Sequence, residues 1–485
     1  MCNNECAANR VEPVAVTGQI AAGAMPGLGR DTIDLVSSSA QSLRPASGLP
    51  TAALSGLKFK GAMLLLLMVY VLNFLDRQIV NILAEPIREE LGLADWQLGM
   101  MTGTAFAVFY ALAGIPIARY AEKGNRPLII AIATACWSGF TILCGFANSF
   151  WQMLIFRFGV GIGEAGGVPP SHSLISDYAP REKRAGALAF FHMGLPLGAL
   201  CGLALGGLVA DAYGWRYAFL VAGLPGFVVA AAIFIGLPEP RKSAAKTSDG
   251  PPERPQSTLG ETFRLLIGKR TFRQFLIGAT FISAVTYAHQ AFVAPFFFRV
   301  HGEQLSAIGD SVGLGPGGLL GVSLGLMTGV AGATGLWLGG KLADRGALKN
   351  AGAYGTVTAV SLSLFVPVQV FAFLLPDAAF ALAAFAPSIL LASMWIGPVQ
   401  ATIQSVAPPH MRATASAILL LAINLIGLGC GPLMLGLLSD AFATFGGMDP
   451  GESVRLALIA FTLPALPAAL IFYRAARHIE PDIAG

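Results

Sequence analysis

RFGVGIGEAGG, residues 157–167, supports two incompatible readings. Gly161-Ile-Gly163-Glu164-Ala165-Gly166 fits the G-x-G-x-x-G spacing that lets a helix N-terminus cradle a pyrophosphate. The same stretch carries Arg157 and Glu164 inside a long apolar run, as a membrane helix with a charged interior face would. A nucleotide loop needs an alternating strand before it, and none precedes Arg157. Glu164 would also meet a phosphate with like charge. The glycines are therefore read as close packing between membrane helices, where small residues let backbones approach.

Composition points the same way. Hydrophobic residues make up 55% of the 485-residue chain and charged residues 12%, with 58 glycines. Soluble chains carry about a quarter charged residues. The mean hydropathy is +0.66. A net charge of +4 without a basic-aromatic patch excludes a nucleic-acid partner. Cys2, Cys6, Cys136, Cys144, Cys201 and Cys430 form no C-x-x-C pair, so neither a disulfide framework nor a metal site is expected. No cofactor motif appears, and in particular no G-x-x-x-x-G-K-[ST] loop. The first 19 residues lack the basic and apolar regions of a signal peptide.

A membrane helix needs roughly 20 apolar residues. Twelve such segments can be marked, at 61–83, 96–118, 127–147, 150–176, 185–210, 216–237, 272–298, 316–340, 351–375, 378–405, 413–438 and 453–474. Residues 1–58 are read as a disordered cytoplasmic tail, 61–237 as one six-helix bundle, 238–270 as a cytoplasmic linker, 271–477 as a second bundle and 478–485 as a cytoplasmic tail. With both termini inside, the outer loops hold Arg88, Arg216, Arg299 and Arg455, and Arg77 and Arg157 lie deep in apolar segments. The other Lys and Arg fall on the inner side, as the positive-inside rule requires. The expected location is an integral membrane position, the inner membrane if the source is bacterial.

The two halves echo each other. Ala179-Pro-Arg-Glu-Lys-Arg184 is matched by Ala407-Pro-Pro-His-Met-Arg412, and each leads into a Gly-rich helix that ends in Asp, at Asp211 and Asp440. AEKGNR at 121–126 is matched by ADRGA at 343–347. Offsets of roughly 220 to 230 residues mark a parallel repeat, which places a substrate site between the halves near the bilayer midplane.

Buried ionisable groups in membrane helices face the bundle interior and usually have partners. Positions 157 and 164 share a helix face about 10 Å apart, and Asp76-Arg77 is the other charged pair deep in an apolar run. Asp76 and Glu164 are expected to bind protons, with Arg157 pairing with whichever carboxylate is ionised. The alternatives are fixed structural bridges. The second half offers no such group; its interior candidates for substrate contact are Tyr287, His289, Gln290, Phe292, Trp395, Gln400, Gln404 and Asn424. An apolar, aromatic second half suits an amphipathic substrate with a lipid tail. Pro169, Pro170 and Pro295 are expected to bend their helices, and His172 and His192 to hydrogen-bond to a neighbouring helix in the interior, with proton shuttling as the alternative.

Over residues 61–477 the chain resembles the major facilitator superfamily. Glu122-Lys123-Gly124-Asn125-Arg126 resembles its gating loop, with Glu in place of the usual Asp; Asp344-Arg345 is the second copy, and Arg157 takes the place of the fourth-helix arginine. Asn73-Phe-Leu-Asp76-Arg77 and Gly161-Ile-Gly163-Glu164-Ala165 resemble the Spinster branch. The resemblance implies an all-α integral membrane protein of twelve transmembrane helices in two pseudo-symmetric six-helix bundles. It also implies that Glu122, Lys123, Arg126, Asp344 and Arg345 form gates, and that lysophospholipids or sphingoid lipids are carried with protons by alternating access. The partners expected are thus a lipid-like substrate, protons and membrane lipids, for a chain working as a monomer. A proton antiporter of drugs or other small amphipaths is the alternative. A lipid-modifying enzyme using Ser171-His172-Ser173 is disfavoured, because adjacent helical residues diverge by about 100° and no acid partner follows.

Overall fold

Hydrocarbon offers the backbone no outside partner, so apolar runs must close their hydrogen bonds as helices. The computed structural model describes residues 56–180, 183–240, 259–408 and 411–484, and all regular elements among them are helical. The expectations for residues 1–55, for most of the linker and for the Lys123 side chain lie outside the described residues. The first half comprises α1 (Gly56–Leu91), α2 (Asp95–Glu122), α3 (Arg126–Cys144), α4 (Phe150–Glu164 and Val168–Tyr178), α5 (Gly186–Tyr213) and α6 (Trp215–Gly236). The second comprises α7 (Arg270–Val312), α8 (Pro316–Ala347), α9 (Ala353–Leu374), α10 (Ala378–Val406), α11 (Thr414–Gly446) and α12 (Pro450–Ile483).

Eleven of these are long and apolar enough to cross a membrane. The span expected over 150–176 is the twelfth, present as the two pieces of α4. Its break has a local cause. Pro169 and Pro170 lack N–H groups and occupy the first positions of a new helix, where none is needed. α10 breaks at the corresponding place, with Met394 and Trp395 between Ala378–Ser393 and Ile396–Val406 and Pro398 just beyond. α2 and α11 each contain a π-helical stretch, Met100–Thr104 and Ile423–Leu428. The break in α4 is thus repeated in its counterpart α10, whereas the π-helical stretches fall in two helices that are not counterparts in the repeat. In α7 the only non-helical residue is His301, beyond Pro295.

Two seams join the halves, α5 with α8 and α2 with α11. Their backbones nearly touch: a side chain at Gly207 would run into the carbonyl of Gly317, and one at Gly99 into that of Pro432. Each seam is closed by an aspartate from one half at a helix start in the other. Asp211 accepts from the N–H groups of Gly317 (3.1 Å) and Gly318 (2.6 Å). Asp440 accepts from those of Asp95 (3.0 Å) and Trp96 (2.8 Å). A carboxylate there satisfies unpaired donors and complements the positive end of the helix dipole.

Between the seams, Arg299 of α7 reaches Glu85 of α1 (2.7 Å) and Asp95 of α2 (2.7 Å). All three are nearly buried, and Ser439 of α11 adds a hydrogen bond to Asp95 at 2.6 Å. This end of the molecule is shut. Toward the opposite end the halves part. Gly329 is the last α8 glycine near α5; Gly335 packs against Leu390 and Gly339 against Met394 of α10. At this end Arg126 pairs within its own half with Asp177 (2.7 Å) and Glu239, and the Tyr354 hydroxyl within its half with Asp344 (2.9 Å).

Candidate functional site

The charged residues singled out on α1 and α4 come together where α1 to α4 pack. Gly161 lies against the Phe106 carbonyl of α2, and Gly163 against the Trp137 backbone of α3. That close packing draws Glu164 into full burial.

Its company differs from the expected one. One Glu164 oxygen accepts from the Arg77 guanidinium (2.7 Å) and from the Asn73 amide (2.8 Å), both on α1. Arg157 is 1% exposed, and its Nε and one terminal nitrogen have no hydrogen-bond partner among the described residues. Helix geometry explains the difference. Asp76 and Arg77 are adjacent, so they point about 100° apart. Arg77 turns to α4, whereas Asp76 turns to α3, where the Thr141 hydroxyl lies 2.7 Å away. The Arg157 charge acts on Asp76 without a hydrogen bond between them.

The Phe106 ring is near both guanidinium groups, 4.4 Å from Arg77 and 5.7 Å from Arg157. Tyr110 and Phe74 complete the aromatic lining around Arg77, at 5.0 Å and 5.3 Å. Arg77 is 16% exposed and Glu164 fully buried, so the guanidinium is the member of the pair that meets open space.

The Thr141 hydroxyl also lies 2.9 Å from the Trp137 carbonyl. It has one proton for two acceptors. If that proton serves the carbonyl, the Asp76 carboxyl must supply one of its own. The arrangement can hold a proton at Asp76 while Glu164 is held as an ion by Arg77.

The second-half candidates separate by helix face. Tyr287 and Gln290, one turn apart on α7, look toward the first half. Tyr287 packs beside the cluster containing Tyr70 and Phe106, and the Gln290 carbonyl oxygen is 3.4 Å from the Gln78 amide. His289 and Phe292 take the opposite face and are enclosed in packing, which corrects their expected role. Both His289 ring nitrogens are engaged, with the Val285 carbonyl (2.6 Å) and the Thr462 hydroxyl (2.9 Å), and Phe292 is fully buried. Trp395 is at the α10 break with its ring nitrogen unpartnered among the described residues, and half-buried Gln400 likewise has an unpartnered carbonyl oxygen. Gln404 is exposed. Asn424 is half-buried in the π-helical stretch of α11, its amide bonded to the Leu420 carbonyl (2.8 Å).

The gating candidates lie at the parted end. Arg126 is fully buried between Asp177 and Glu239, Glu122 is exposed, and Asp344 and Arg345 are exposed on α8. His172 and His192 face each other at 5.2 Å beside Phe191. The Ser171 hydroxyl donates to the Gly167 carbonyl (2.7 Å), which occupies the proton a nucleophile would give up.

Sequence reading missed Asn73 and Thr141 as partners of the carboxylates, and it missed the whole shut end. The pairing of Asp211 with Asp440 was visible as a repeat, but its use as a cross-half cap was not.

Comparison with known proteins agrees with this architecture. The family model described as Major Facilitator Superfamily matches residues 66–432. An MFS-type efflux pump of Mycolicibacterium smegmatis is 31% identical over 421 residues, covering 86% of this chain and 92% of the pump. The sphingosine-1-phosphate transporter SPNS2 of Danio rerio is 26% identical over 240 residues, 49% of this chain and 47% of that protein. The crystal structure of a bacterial homologue of the human lysosomal transporter Spinster, inward-facing and unoccupied, superposes with a TM-score of 0.76. It shares 29% identity and covers 88% of this chain and 99% of that one.

Proposed function

The chain belongs to the major facilitator superfamily and is an integral membrane transporter with Spinster proteins among its relatives, and from that premise we propose that it is a proton-coupled carrier of a lipid-like amphipath, a lysophospholipid or a sphingoid lipid, working by alternating access. The observation that carries the reading is the unequal company of two buried carboxylates. Glu164 holds Arg77 and Asn73, whereas Asp76 has, among the described residues, Thr141 alone as a hydrogen-bond partner.

Removing Arg77 from Glu164 would leave an unpaired buried charge, which is costly unless a proton neutralises it. A substrate headgroup that draws Arg77 away therefore favours protonation of Glu164. Arg157, buried and short of partners, is the second cation that can engage whichever carboxylate remains ionised. Arg77 with Phe74, Phe106 and Tyr110 forms a cationic, aromatic wall fit for an anionic headgroup on an apolar tail. Tyr287 and Gln290 complete the wall from the second half, with Trp395, Gln400 and Asn424 as further contacts for the substrate.

The bias of Lys and Arg supports a cytoplasmic position for the Arg126 end and for both termini. The state described here is then closed outside and open inside, as in the inward-facing relative. In the opposite state Glu122, Lys123, Arg126, Asp344 and Arg345 latch the cytoplasmic ends. The bundles take residues 61–237 and 271–477, with the linker at 238–270. The Danio rerio relative, named as a sphingosine-1-phosphate transporter, supports a lipid substrate.

A second reading, export of small amphipathic molecules, is favoured by the Mycolicibacterium smegmatis relative named an efflux pump. Reconstituted vesicles separate the two. Labelled lysophospholipid, sphingosine 1-phosphate and a panel of cationic dyes are offered with and without a pH gradient. Saturable, gradient-dependent flux of the lipids is expected; flux of the dyes alone would replace the lipid reading with the efflux one.

A further inference from the structure

At the shut end lies an ionisable group that the transport cycle above does not use. His301 is 2% exposed, and neither ring nitrogen has a hydrogen-bond partner among the described residues. It is also the one residue of α7 with non-helical dihedrals (φ −123°, ψ 16°). Arg299, the cation that ties α7 to Glu85 and Asp95, lies just before it on the same helix.

The imidazole is packed between aromatic rings, 5.5 Å from Phe296 and 5.6 Å from Phe297. The charged groups acting on it from other helices are Arg455 of α12 and Asp377 at the start of α10. Arg455 is held by Glu452 at 2.7 Å. On its own helix the neighbours are Arg299 and Glu303. The Gln304 side chain fastens the segment after the kink to the Pro376 carbonyl (3.1 Å) and the Ala378 N–H (2.6 Å). His301 is therefore the pivot between a helix that carries the latch and a segment anchored to α10.

We propose that His301 is a proton sensor for the Arg299 latch: an imidazole at the kink of α7, buried without a hydrogen-bond partner beside Arg455, that releases the shut end when protonated. A neutral imidazole fits an aromatic cage. An imidazolium needs acceptors for two donors, and among the described residues neither ring nitrogen has one within hydrogen-bond reach here. The strain is relieved by swinging the ring toward water, which rotates the helix at its kink and draws Arg299 from Glu85 and Asp95. Acid facing this end thus favours the state open to it. Because the latch spans both halves, the effect reads out as a conformational equilibrium and needs no substrate.

The test uses the full chain in nanodiscs without its native cysteines, with spin labels at Glu89→Cys on α1 and Asp310→Cys beyond the kink. Both positions are exposed. Asp76→Asn and Glu164→Gln are included so that the coupling carboxylates contribute nothing. Failure of the sensor is then separate from failure of the proton-coupling reading. Between about pH 8 and about pH 5, the range in which histidine titrates, the long-distance population is expected to rise several-fold. His301→Phe and His301→Gln should each abolish that rise, the first keeping the cage filled and the second keeping its polarity. An unchanged distance distribution with His301 present overturns the proposal, as does an undiminished rise in whichever variant folds.

Discussion

Glu164→Gln is expected to uncouple transport from the pH gradient while leaving a folded carrier. Gln keeps the shape of the side chain and can still accept from Asn73 and Arg77, so the contact of α1 with α4 survives. It cannot exchange a proton. For one proton per substrate, each pH unit drives about tenfold accumulation, about 1.4 kcal/mol. The wild type should show that ratio in vesicles with a one-unit gradient, and the variant should fall to equilibration. Substrate exchange without a gradient should continue in the variant, because it needs only alternating access. If the variant keeps tenfold accumulation, Glu164 carries no coupled proton.

The second large effect is expected at the opposite end. Arg299→Gln removes the cation between Glu85 and Asp95, which are 2% and 7% exposed. Breaking a buried pair by removing one partner costs about 3–5 kcal/mol, and every 1.4 kcal/mol is about tenfold in equilibrium. The variant should therefore leave the state shut at this end by roughly a hundredfold or more. Distance measurements between labels on α1 and α7 should show the open form as the main population. Asp211→Asn should act in the same direction with a smaller shift, since Asn keeps the acceptor for Gly317 or Gly318 and loses only the charge. A latch variant that remains shut would mean that the glycine seams alone hold this end.

Most of the fold could be read before any coordinates, because lipid makes the signal simple. Apolar runs of membrane length, alternation of Lys and Arg, and the echo of 179–184 in 407–412 all report on the same repeat. The span at 150–176 was legible as a length but not as two helices. Pro169 and Pro170 announced a bend there; only the packing of Glu164 against α1 shows where the chain turns. In α7 the non-helical dihedrals are at His301, beyond Pro295.

At the site, Asp76, Arg77, Arg157 and Glu164 could be picked out as ionisable residues in apolar runs, and the fold does gather them. Which pairs with which was hidden. The spacing of 157 and 164 describes one helix, whereas the partner of Glu164 comes from another. Periodicity could have sorted Tyr287 and Gln290 from His289 and Phe292, since residues two apart on a helix point in nearly opposite directions. Arg299 looked like an ordinary loop charge, because nothing local marks a residue whose partners lie some two hundred positions away in the chain.

The most direct measurement follows substrate and protons together. Vesicles containing the purified chain and a trapped pH indicator receive a substrate gradient with no initial pH difference. Proton movement in fixed proportion to substrate flux is predicted for the wild type and its loss for Glu164→Gln. Substrate flux at full rate with a silent indicator in the wild type would contradict the account.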